Sequence, residues 1–343
     1  MAYSVIKKPS DYFNTKLYTG NSSSTHAVTG VGFQPDLSWF KNRTGAGSHY
    51  LFDAIRGVTK SISSDTTSAE ATQSYLSSFD TDGFTLGSAS NNVNGAYNYA
   101  SWNWLANGTG VANTDGDIAS TVSANTTSGF SIVSYTGTGA NATVGHGLGA
   151  VPKVIITKSR SNSSYNWTSY FASLGNTGRI RLNLTDAATT GQTNWNSTTP
   201  TSSVFSLGTN LDVNGSGENI IAYCFAEKQG FSKFGSYTGN GSADGTFVYT
   251  GFKPAFVMIK RTDSADGWQM FDNKRDLSNP GIHRLEADSS AAEYTGQADH
   301  LDMYSNGFKP RYSGGNLNGS GATYIYMAFA EQPLVGDNPA TAR

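Results

Sequence analysis

The stretch Tyr135-Thr136-Gly137 to Pro152-Lys153-Val154-Ile155-Ile156-Thr157-Lys158 decides how the chain is read, because it is the middle of three copies of one pattern. The other copies begin at Tyr18-Thr19-Gly20 and Tyr237-Thr238-Gly239. In each copy a proline stands 17 positions after the tyrosine (Pro35, Pro152, Pro254), and a lysine follows the proline by six (Lys41, Lys158, Lys260). A period near ~100 residues is too long for a solenoid repeat and suits a whole small domain. The ends repeat as well. Asn214-Gly215-Ser216-Gly217 leads to Phe225-Ala226-Glu227 as Asn318-Gly319-Ser320-Gly321 leads to Phe329-Ala330-Glu331.

A glycine-rich turn followed by an apolar run with little alternation reads as a strand buried on both faces, central in its sheet. Leu37-Ser38-Trp39-Phe40-Lys41 after Pro35 reads as another strand, and Asp82-Gly83 and Asn94-Gly95 are hairpin turn dipeptides. The expected fold is all-β: three tandem β-sandwich modules, jelly-roll or Ig-like, over 11–107, 129–228 and 229–333. A leader (1–10), a polar linker (108–128) and a tail (334–343) complete the expected layout. Gly-Phe-Ser opens modules two and three alike, so those two should pack rigidly.

Charged residues are 14% of the chain and the formal net charge is −2, which leaves no electrostatic footprint for nucleic acid or an anionic membrane. No apolar run approaches the ~18 residues of a membrane span, and no signal peptide is read at Met1–Ser10. The single cysteine, Cys224, lies within an apolar strand and reads as a small buried hydrophobe.

Repetition sorts the chemistry. A group present in several modules serves the module, whereas an active site would be a departure from the repeat. Asp53 with Arg56, and Asp272 with Arg275, therefore read as ion pairs holding a turn. Asp65 precedes Glu70 by five, as Asp288 precedes Glu293, and module two has lost most of this block. The five histidines have no metal-type spacing, and His146 in Gly145-His146-Gly147 reads as an exposed turn residue. No catalytic residue, metal or cofactor is assigned, and Trp39 and Trp268 go to cores. Trp195, with Asn194 beside it in a polar loop of the diverged module, is the expected ligand contact, of the aromatic-plus-amide kind that sugars need.

The runs Asp11-Tyr12-Phe13-Asn14-Thr15, Gly32-Phe33-Gln34-Pro35-Asp36, Trp39-Phe40-Lys41-Asn42-Arg43, Phe52-Asp53-Ala54-Ile55-Arg56-Gly57 and Val144 to Pro152 together resemble tandem-repeat virion structural proteins of bacteriophages, of marine-phage type, described as tail fibres or lectin-like proteins. The resemblance implies a non-enzymatic protein on the particle surface, as a capsid decoration, head fibre or tail fibre component. It implies host attachment, assembly in the host cytoplasm, and other virion proteins (major capsid or tail) as partners. A homotrimer suits such positions. The alternative is a carbohydrate-binding receptor-recognition protein that takes a host surface glycan. Neither reading involves nucleic acid or membrane insertion.

Overall fold

Every repeat closes on itself before it meets the others. In the first, the opening strand Phe13–Thr19 pairs with the closing strand Asn98–Trp104, which pairs with the post-proline strand Leu37–Asn42, which pairs with Tyr50–Asp53, all antiparallel. The third repeat uses the same order: Ser232–Thr238, Thr323–Pro333, Phe252–Arg261, Trp268–Asp272, and then Leu285–Glu286. The second matches with Phe130–Thr136, Asn219–Phe225, Val154–Ser159, Thr168–Phe171 and Ile180–Arg181. The closing strands are central in their sheets, as their unbroken apolar character requires. This computed structural model describes residues 4–296, 300–334 and 339–341. Its protein is almost entirely β, with a single α-helical turn among the described residues, Leu211–Asn214. No helix among those residues is long and apolar enough to cross a membrane.

Segment 108–128 is not the linker expected from its polarity. Val111–Asn113 and Ser120–Asn125 are strands that extend the second sheet at the edge of Phe130–Thr136, so that sheet has seven strands. Ile118 and Val122 anchor them by burial in the second repeat's own core. Backbone hydrogen bonding to an open sheet edge outweighs a turn-rich composition here.

Alternation along the strands splits the side chains between two cores. Phe40 and Phe52 face outward and pack on a small sheet containing Val28 and Phe84; Ile155 does the same on Val144 and Phe205, and Val257 on Val248 and Phe308. The inward set is shared. Leu37 and Trp39, Val154 and Ile156, Phe256 and Met258 meet in one core, together with Trp104, Phe225 and Phe329 of the closing strands. Phe13 of the first repeat stacks on Phe329 of the third at 4.9 Å, and Trp104 meets Phe225 of the second at 6.4 Å. The largest core thus belongs to no single repeat. Within it lies an apolar cavity of about 20 Å³ walled by residues of all three repeats.

The leader closes one end of this core. Ile6 is buried in it while Val5 is 84% exposed. Residues 1–3 of the leader, and 335–338 and 342–343 of the expected tail, lie outside the described residues.

Candidate functional site

The Tyr-Thr-Gly motif is a clamp between the two ends of a repeat. The hydroxyls of Tyr18, Tyr135 and Tyr237 donate to the carbonyls of Val93, Val213 and Leu317 at 2.7, 2.7 and 2.6 Å. Each acceptor precedes an Asn-Gly pair. The buried amides of Asn94, Asn214 and Asn318 accept from the backbone N–H one residue past the motif glycine and donate to a carbonyl two residues further on. A Cβ on Gly137 would lie 2.3 Å from the Gly215 carbonyl, so the motif needs glycine for close approach. Burial raises the pKa of all three tyrosines well above the usual phenol value, keeping them donors. The stretch is used up in structure.

The block of charged residues joins one repeat to the next. The Arg56 guanidinium holds Asp53 at 2.5 Å inside the first repeat, and both side chains are fully buried. Asp53 also accepts from the Tyr223 hydroxyl of the second repeat at 2.8 Å, and Glu70 pairs with Arg160 there at 2.9 Å. The same set joins the third repeat to the first: Arg275 on Asp272 at 2.6 Å, the Trp102 indole N–H on Asp272 at 3.1 Å, and Arg43 on Glu293 at 2.7 Å. Between the second and third repeats the ladder positions of Asp, Arg and Glu hold Phe171, Leu174 and Ala188, facing Met327 and Thr262. The backbone contact survives there, because Ala188 N–H donates to Thr262 O at 2.9 Å as Glu70 does to Arg160 and Glu293 to Arg43, each at 2.8 Å. The contacts therefore run from first to second, second to third and third back to first, a closed ring with pseudo-threefold symmetry. Sequence reasoning found the ion pairs within the repeats and missed that their aspartates also bond across to the next repeat.

The repeat lysines are buried. Lys260 donates to Arg261 O at 2.8 Å and to Thr185 O of the second repeat at 3.1 Å; Lys41 donates to Gly47 O and to Ser290 O of the third. Burial pulls Lys41, Lys158 and Lys260 down to a pKa of about 8. A ring nitrogen adds a contact at every junction: His49 to Glu286 O, Trp167 to Ser63 O, and Trp268 to Arg181 O, at 2.9, 2.7 and 2.9 Å.

Trp195 is not the exposed contact expected of it. It is 1% exposed, donates its indole N–H to Gly178 O at 3.1 Å, and meets the Tyr170 ring edge-on at 5.7 Å. Asn194 is equally buried. The polar loop folds back over the second repeat's core because the indole buries more apolar surface than any neighbour in that loop. His146 is also buried, between Thr201 O and Leu148 N–H. Cys224 is inside, and burial raises its thiol pKa away from reactivity. Among the described residues no three His, Cys, Asp or Glu side chains are grouped to hold a metal ion.

Among the described residues, the exposed aromatic side chains Phe247, Tyr249 and Tyr294 all lie on the third repeat. Tyr249 is 55% exposed and forms one wall of a cleft of about 470 Å³. Among the described residues, Glu227, Gln229, Ser232, Lys233 and Thr250 also contribute side chains to its lining. Lys233 pairs with Glu227 at 3.2 Å, and Glu227 also accepts from Phe234 N–H at 2.8 Å. Next to it, Phe247 is exposed and meets Tyr304 edge-on at 6.0 Å.

A family model described as a domain of unknown function, DUF7483, matches residues 8–333. The chain belongs to the DUF7483 family. No curated protein matches it. The match takes in all three repeats at once, the extent over which the DUF7483 chain closes its ring. A cleft at Tyr249 had no sequence signal beyond the repeat comparison itself, since its walls lie on both sides of the junction between repeats two and three.

Proposed function

We propose that this DUF7483 protein is a non-enzymatic structural component of a bacteriophage particle surface, a capsid decoration, head fibre or tail fibre part assembled in the host cytoplasm. In this reading each repeat is a β-sandwich module, and its partners are the major capsid or tail proteins. The observation that carries it is the closed ring. Three linked copies wrapped round one core make a stiff body without disulfides, and its pseudo-threefold shape suits threefold positions of a symmetric particle. The buried Asp–Arg pairs that recur in the first and third repeats are committed to holding that ring. Quantitative mass spectrometry of purified, salt-washed particles tests the proposal: capsid-scale copy number supports decoration, a few copies support the tail, and absence from the particles sinks it. Sedimentation of the purified chain separates a single chain filling a threefold position from a homotrimer surrounding one.

A second reading, glycan recognition at the host surface, is favoured by the exposed aromatic residues of the third repeat. Binding of the purified chain to host polysaccharide is its test.

A further inference from the structure

The three repeats share one strand order and one tyrosine–asparagine clamp, so a difference that touches no core is informative. On the outer sheets Val28, Val144 and Val248 hold one ladder position, each opposite a buried phenylalanine. That valine is flanked by Ala27 and Thr29 in the first repeat and by Thr143 and Gly145 in the second, but by Phe247 and Tyr249 in the third. Alternation puts both rings on the outward face, 44% and 55% exposed. Large aromatic surface placed outside a core marks a contact.

The cleft beside Tyr249 selects the kind of contact. Its volume, about 470 Å³, falls within the range of small-molecule sites. Among the described residues of its lining the charges cancel, because Glu227 and Lys233 pair with one another. An anion would meet Glu227 and a cation Lys233, while an apolar ligand would strand Gln229 and the ion pair without water. A neutral ring with one apolar face and several hydroxyls satisfies all of them. We propose that this cleft binds a pyranose sugar, stacked by its C–H face on Tyr249, with Gln229, Glu227 and Lys233 exchanging hydrogen bonds with its hydroxyls. The proposal rests on the glycan reading above and gives it a location.

Saturation-transfer NMR and titration of the full chain with glucose, galactose, mannose, N-acetylglucosamine and their disaccharides test it. Binding of at least one sugar is expected, weakened about tenfold or more by Tyr249→Ala, weakened less by Gln229→Ala, and unchanged by Tyr294→Ala, an exposed aromatic elsewhere on the same repeat. Binding that ignores Tyr249→Ala overturns the cleft and leaves the glycan reading standing. No binding of any sugar overturns both, while the particle-surface reading still stands or falls on copy number.

Discussion

The Phe171 ring lies 5.9 Å from the Trp268 indole, tilted by 36°, at the ladder position where the other two junctions place a buried aspartate. At this position one junction of the ring is therefore held by packing and two by buried ion pairs. The exchange is concerted: Phe171, Leu174, Ala188, Thr262 and Met327 stand where Asp53, Arg56, Glu70, Arg160 and Tyr223 stand at the first junction. Removing one member of a buried charge set strands the others, whereas replacing the set by apolar groups of suitable shape does not.

Arg56→Leu alone should lower stability by about 3–5 kcal/mol, because Asp53 is left buried without its cation. The five-residue change Asp53→Phe, Arg56→Leu, Glu70→Ala, Arg160→Thr and Tyr223→Met should recover most of that loss. Urea unfolding of both variants checks it; a five-residue variant no more stable than Arg56→Leu would refute the equivalence of the junctions.

Asp288 accepts the Trp268 backbone N–H at 2.7 Å, and Asn183 accepts the Trp167 N–H in the same way at 2.9 Å. Burial raises the Asp288 pKa to about 6. A carboxyl whose folded pKa is raised favours folding below its unfolded pKa, and that contribution is lost as pH rises through the folded value. Asp288→Asn should therefore gain on the order of 1 kcal/mol at pH ~7 and little at pH ~4. Chemical denaturation at the two pH values reads the difference.

The three buried lysines work in the opposite sense. With folded pKa values lowered to about 8, the native state binds fewer protons than the unfolded chain above that pH, so stability should rise from about pH 8 towards 9.5. Above that, ionisation of the buried tyrosines in the unfolded chain opposes the trend. Lys260→Met should flatten the rise, and a slope unchanged in that variant would remove Lys260 from the account.

Trp195→Ala should cost about 3–5 kcal/mol, as expected for a buried aromatic side chain, and Trp195→Phe less. Thermal unfolding measures both. Sugar binding by Trp195→Phe should equal that of the parent chain, since the indole is sealed inside the second repeat.

Much of this was legible from residue order. The tyrosine, proline and lysine spacings marked three repeats, the apolar runs before Ala226 and Ala330 marked central strands, and Asp53 with Arg56 marked a turn-holding pair. Each of these depends on residues near one another in the chain, where periodicity and turn chemistry act directly. Trp195 failed because a polar loop gives no sign of which way it folds over a core. Segment 108–128 failed because edge pairing depends on a free sheet edge that composition does not reveal.

What the sequence by itself determined was the unit: an all-β repeat marked by its recurring tyrosine, proline, lysine and Asn-Gly positions. The ring was decided only by the tertiary structure. Glu293 and Arg43 are 250 positions apart, and nothing local in either segment encodes their meeting. That meeting follows because each sheet is apolar on both faces, its own small sheet covers only one of them, and three such sheets can bury the remaining face together only by closing round a common core.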